Sequence, residues 1–236
     1  MIDARPVAIG NVVVMSGGVS SEPPEFMAQV RRPAVVVAAV SALVLVALGV
    51  RYAGESSGRW LDETTSALLR SELPVRRGAL RPVIELMDPV PLFVIIVLLA
   101  TVCLVLGRRR LAVLAVVGPA LTGVATTVLK EIVGRTKNGD LAYPSGHGGA
   151  ATAVALVAGL LLVSVIRVRL WAAVGLVAGL TVLVGGGMAV AMTLTNYHYL
   201  TDTLGGFCAA VSVVLGLALL LERGTLRSGA EPARVS

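Results

Sequence analysis

The sequence predicts an all-α integral membrane protein, a bundle of six transmembrane helices. Composition is the first reason. Of 236 residues, 56% are hydrophobic and only 14% charged, with mean hydropathy +0.87, whereas soluble domains carry about 25% charged residues. The second reason is the length of the charge-free runs, because a spanning helix needs about 20 mostly apolar residues. The third is a three-arginine cluster in a tight turn, the sequence mark of a loop kept on one side of a bilayer.

Five charge-free runs have spanning length: Pro33–Val50, Val90–Gly107, Leu111–Leu129, Gly148–Ile166 and Thr203–Leu221. The run Leu170–Thr201 has 32 residues, too many for one upright span, so its end near Thr193–Thr201 is expected to leave the bilayer as a loop. Residues 1–30, with paired glycines, serines and prolines, have no apolar stretch long enough for a signal-peptide core and read as a disordered leader. Residues 31–222 form the membrane domain, and 223–236 a disordered tail. The connection 51–89 has the pattern of short amphipathic helices at the membrane interface, with Trp60, Leu61, Leu68 and Leu69 on an apolar side.

Basic residues orient the bundle. One side carries eleven Lys and Arg and the other nine. Six of those nine lie in the long 51–89 connection among six acids, whereas Arg108–Arg110 stand in a short turn without one. Both termini are therefore assigned to the cytoplasm. The net charge of +6 comes from arginines scattered between apolar runs, which excludes a nucleic-acid stripe. Cys103 and Cys208 make no disulfide framework.

Polar chemistry gathers in two loops on the opposite, extracytoplasmic side. The first runs from Lys130 through Arg135 and Lys137 to Pro144-Ser145-Gly146-His147. Three cations followed by a helix N-terminus suit a phosphate, because free backbone N–H groups and the helix dipole attract anions. Interfacial anchoring of the cations and simple helix capping by Ser145 account for the same residues. The second loop holds His198 and Asp202. Four residues apart on one helix face, they allow a carboxylate to fix the imidazole tautomer and leave the other nitrogen as a nucleophile. His147 and His198 are the only two histidines.

Taken together, these motifs resemble the type-2 phosphatidic-acid phosphatase superfamily, whose pattern is Lys-x6-Arg-Pro, then Pro-Ser-Gly-His, then Ser-Arg-x5-His-x3-Asp. Pro144–His147 match the second motif fully, Lys130 matches the start of the first, and His198 with Asp202 match the end of the third. The resemblance spans about residues 90–222. It implies hydrolysis of a lipid phosphate or diphosphate; no metal or other cofactor is expected, because the carboxylate and histidine clustering of a two-metal site is missing from the sequence. His198 is then the nucleophile, Asp202 its partner and His147 the general acid. Lys130, Ser145 and Gly146 hold phosphate oxygens. Two departures stand out. Lys137-Asn138 replace Arg-Pro, and Ala191-Met192 replace Ser-Arg, so Arg135 and Lys137 are expected to supply the missing charge. An arginine at 192 is expected to improve phosphate binding if that side chain faces the site. The implied substrate classes are polyprenyl diphosphate, the first choice, phosphatidate and phosphatidylglycerol phosphate. The rival reading is a lipid-phosphate-binding protein or transporter without catalysis.

Overall fold

A computed structural model describes residues 25–166 and 168–228, with side chains from Val30 to Glu222 apart from residue 167. The chain is helical almost throughout: α1 (Glu25–Arg51), α2 (Trp60–Glu72), α3 (Arg77–Glu85), α4 (Pro89–Val105), α5 (Arg109–Val133), α6 (Gly146–Val165), α7 (Leu170–Leu194) and α8 (Leu200–Ser228). A two-stranded hairpin, β1 (Thr136–Lys137) and β2 (Asp140–Leu141), interrupts this order between α5 and α6. Five of the helices are long and apolar enough to cross a membrane. The sixth candidate is α4, which meets α3 at a 53° bend. The protein is thus a multi-pass helical membrane protein.

The long apolar run breaks near the expected place, α7 ending at Leu194 and α8 beginning at Leu200. The ends of the domain differ from expectation. Helix α1 reaches back to Glu25, into the stretch read as leader, and α8 continues to Ser228, into the stretch read as tail. Hydropathy marks only the apolar part of a helix; α1 continues toward its N-terminus through Pro33, and α8 runs on past Leu221 with no proline before Ser228. Residues 1–24 and 229–236 of those two segments lie outside the described residues.

Helix α6 is the centre of the bundle, packed by α5, α7 and α8. Its core face is built from small residues and short branches. Ala153, Leu156, Val157 and Leu160 meet Leu114 and Ala115 of α5, Val177 of α7 and Ala210 and Val214 of α8. Such close packing is the usual basis of helix association in lipid, where hydrophobic transfer contributes little. A Cβ on Gly149 would stand 3.1 Å from Thr122 Cγ2 of α5. Helix α1 lies against α8, where Ser212 Oγ donates to the Ala38 carbonyl at 3.2 Å.

The connection 51–89 folds back on the end of the bundle as α2 and α3. Trp60, Leu61 and Leu68 of α2 are exposed, while Asp62 and Ser66 on its other side are buried. The apolar side of α2 therefore faces outward and the polar side faces protein.

Candidate functional site

The two polar loops meet at one end of the bundle, opposite the Arg108–Arg110 turn. The backbone joins them directly, since Ser145 N–H donates to the Asp202 carbonyl at 2.9 Å. Each loop is shaped by local chemistry. Gly134 ends α5 in the left-handed region (φ 63°), donating to the Lys130 carbonyl. Asn138 and Gly139 both have positive φ, the backbone an Asn-Gly hairpin turn requires. That dipeptide is the signal by which sequence reading could have found the hairpin. At the start of α8, the Asp202 carboxylate accepts the Tyr199 N–H at 2.9 Å, an acid in the first turn reaching back to cap the helix.

His198 is nearly buried, and its Nδ1 lies 3.6 Å from Asp202 Oδ2. That is just beyond hydrogen-bond range, and Nδ1 has no other partner. Burial holds the imidazole below the usual histidine range. Asp202 opposes this shift, while the charges of Lys130 and His147 reinforce it. The ring is accordingly neutral at pH 7, with Nδ1 turned to a carboxylate. Lys130 is half-buried on the last turn of α5.

At the N-terminus of α6, Ser145 is the N-cap and its Oγ accepts the Gly148 N–H at 3.2 Å. The N–H groups of Gly146 and His147 remain at the open end of the helix, where no intrahelical acceptor exists. Both residues are partly exposed. His147 Nε2 lies 3.0 Å from Asp88 Oδ1. Asp88 is the N-cap residue of α4 and belongs to the connection that sequence reading treated as interfacial. Its partner is 59 residues away, so no local spacing could have revealed it.

Arg135 is placed differently from the expectation that it faces a phosphate. It is fully buried. One terminal nitrogen donates to Asp202 Oδ1 at 2.6 Å and to Thr201 Oγ1 at 2.7 Å, and the other donates to Asp62 Oδ2 at 2.6 Å. The guanidinium also stands 4.2 Å from the Tyr52 ring and 4.5 Å from the Tyr199 ring, cation–π contacts that strengthen when desolvated. Removing one partner of such a buried pair costs about 3–5 kcal/mol. Two carboxylates and two aromatic rings therefore occupy the residue expected to bind substrate.

Lys137 lies beside this cluster, its Nζ 4.0 Å from the Tyr199 ring. Burial pushes its ammonium down to about 8, against the pull of Asp202. Met192 packs in an apolar cluster with Ile84, Ala151, Met188 and Ala191. The condition placed on an arginine at 192 is thus unmet, and a guanidinium there would be buried among methyl groups.

Comparison of the chain with protein-family models, curated proteins and solved structures finds no match. The site's chemistry rests on its own geometry. One further feature bears on it. An apolar groove of about 440 Å³ runs between α4 and α5, lined by Leu92, Ile96, Pro119, Gly123, Thr127 and Val128 among others. Leu92 lies one turn from Asp88, and Thr127 one turn from Lys130. The groove therefore descends from the polar end along the bundle's flank.

Proposed function

We propose that the protein is a membrane phosphatase that hydrolyses a lipid phosphate or diphosphate through a phosphohistidine on His198. The observation that carries this reading is the neutral, nearly buried His198, with its Nδ1 turned toward Asp202 and the charges of Lys130 and His147 close by. In the first step Nε2 attacks phosphorus and the bond to the leaving oxygen breaks, with His147 supplying its proton. Asp202 stabilises the imidazolium that forms. In the second step His147 takes a proton from water, which displaces His198 and releases phosphate. Lys130, the N–H groups of Gly146 and His147, and the Ser145 hydroxyl bind the phosphate oxygens. The motifs that resemble the type-2 phosphatidic-acid phosphatases support the same roles. Purified protein is expected to release phosphate from lipid phosphates in EDTA. Saturable binding of lipid phosphate without release favours the non-catalytic reading, which the capture of Arg135 by protein carboxylates supports.

The α4–α5 groove supports a substrate with a hydrocarbon tail, because it is apolar and two of its lining residues, Leu92 and Thr127, lie one helical turn from Asp88 and Lys130. Gly123 lines it, and a Cβ there meets nothing within 4 Å. Gly123→Leu is expected to fill the groove without disturbing the fold. It should raise KM for a long-chain lipid phosphate by about tenfold, the scale of a few lost methylene contacts, and leave hydrolysis of a short water-soluble phosphate ester unchanged. Equal effects on both substrates count against a tail in the groove.

The site is assigned to the extracytoplasmic face, with both termini in the cytoplasm, and polyprenyl diphosphate is the preferred substrate because its recycling needs an outward-facing site. Gly139 and Arg109 are exposed at opposite ends of the bundle. Single cysteines there, in a background lacking Cys103 and Cys208, are expected to react with an impermeant thiol reagent in intact cells at 139 and not at 109. The reverse pattern inverts the topology and removes the preference for an outer-leaflet lipid.

A further inference from the structure

The Arg135 cluster sets two buried carboxylates against one guanidinium. Arg135 and Asp202 alone would form a complete pair, yet Asp62 is brought from α2, 73 residues away, and fully buried beside them. Burying a second carboxylate is costly, and stability alone rarely repays a buried ionic group. The atoms indicate what it does. Asp62 holds one nitrogen of Arg135 through Oδ2, while its Oδ1 accepts the Thr201 hydroxyl at 2.7 Å and the Thr201 N–H at 3.3 Å. Arg135 is thereby split between two acids and reaches Asp202 at Oδ1 only. Asp202 Oδ2 remains for the Tyr199 N–H and for His198 Nδ1. A guanidinium free of Asp62 would meet its one remaining carboxylate with both prongs, the geometry it favours, and Oδ2 would be taken from the histidine.

We infer that Asp62 is a positioning residue. By holding one arm of Arg135, it keeps one oxygen of Asp202, and that carboxylate's charge, directed at His198. The interfacial helix α2 is therefore part of the reaction centre's support. The kinetic consequence rests on the proposed phosphohistidine chemistry, whereas the electrostatic consequence does not. The charged groups acting on His198 are Asp202 of α8, Lys130 of α5 and His147 of α6, with Arg135 bonded to Asp202 behind it.

The test uses the full chain in detergent, purified on a tag without histidine. With only two histidines in the sequence, His147→Gln leaves His198 as the sole imidazole, and its titration is followed by NMR after histidine labelling. Asp62→Asn in that background is expected to lower the midpoint by about one pH unit, because Arg135 released from Asp62 takes both oxygens of Asp202 from the imidazole. Asp62→Glu is expected to return it toward the parent value. With His147 intact, Asp62→Asn should reduce kcat roughly tenfold and leave KM within about twofold, the signature of a lost transition-state interaction. An unmoved midpoint, or a change confined to KM, overturns the inference. If Asp62→Asn does not fold, Thr201→Val serves in its place. It keeps every charge and leaves the direct bond between Arg135 and Asp62 Oδ2 in place, so the parent's midpoint is expected, and a drop of about one pH unit overturns the inference by assigning the positioning to the Thr201 hydroxyl. A midpoint shift in a protein that hydrolyses no phosphate upholds the role of Asp62 in setting His198 and defeats the phosphatase reading alone.

Discussion

Replacing His198 with alanine is expected to reduce phosphate release from a lipid phosphate by on the order of 10⁴-fold or more, while lipid-phosphate binding persists. A covalent nucleophile has no substitute within its site, and the rate left after its removal reflects binding and electrostatics alone. The Asp202 carboxylate stays tied to Arg135 and the Tyr199 N–H in the variant, so the fold at the start of α8 should survive. Rapid quenching of the unmodified protein with a lipid phosphate should trap an acid-labile, base-stable phosphoryl adduct that the alanine variant lacks. The pH profile supplies a second reading. Burial, reinforced by Lys130 and His147 and opposed by Asp202, depresses the imidazole. The proposed chemistry needs His198 as the free base, so activity is expected above the depressed value and should be lost as pH falls through it. The acid limb should therefore lie below the ordinary histidine value of about 6.5. Full activity in His198→Ala, or an acid limb at or above the ordinary value, removes His198 from the chemistry.

Elements of the fold that answer to the bilayer were legible in the sequence. A spanning helix must be long, apolar and uncharged, so α5, α6, α7 and α8 stand out as runs, and the excess length of Leu170–Thr201 marks the break at residues 195–199. The joining of the two histidine loops was legible for a related reason. Polar groups are expensive in such a chain, and two clusters on one predicted side have few places to go. The partners of those residues were not legible. Asp62 and Asp88 lie in a charged connection where any acid reads as solvated, and their contacts with Arg135 and His147 exist only because α2 and the start of α4 fold onto the bundle's end. Arg135 misled for the same reason. Its spacing from Lys130 suggested a phosphate ligand, but spacing is blind to a carboxylate arriving from 73 residues away. The amphipathic pattern of α2 was visible, but the value of its buried polar side was not, because sequence alone does not say which side meets protein.

Gly206→Ala is expected to be the most damaging single-methyl change in the bundle. Its Cβ would stand 2.2 Å from the Ser145 carbonyl oxygen and 3.0 Å from the Gly149 nitrogen. Both are backbone atoms of the first turn of α6 and its cap, with no flexible side chain to yield. Relief requires α6 and α8 to separate at the site, which strains the Ser145 N–H bond to the Asp202 carbonyl. The neighbouring Gly205 is nearly as confined, against the Tyr143 ring at 2.4 Å. Overpacking of this kind costs typically about 1–3 kcal/mol, and a backbone obstacle places it at the upper end. Helix propensity works the other way, since alanine in a helix interior is favoured over glycine by about 1 kcal/mol. The internal control is Gly186→Ala in α7, where a Cβ meets nothing within 4 Å and only the propensity term remains. Thermal unfolding in detergent should therefore move in opposite directions, with Tm lowered for Gly206→Ala and unchanged or raised for Gly186→Ala. Gly206→Ala should also lose activity below its own Tm, because the displaced helix carries Ser145, Gly146 and His147 away from His198. Equal Tm values for the two variants would show that α6 and α8 separate at no cost, and that the close approach of their backbones does not hold the two halves of the site together.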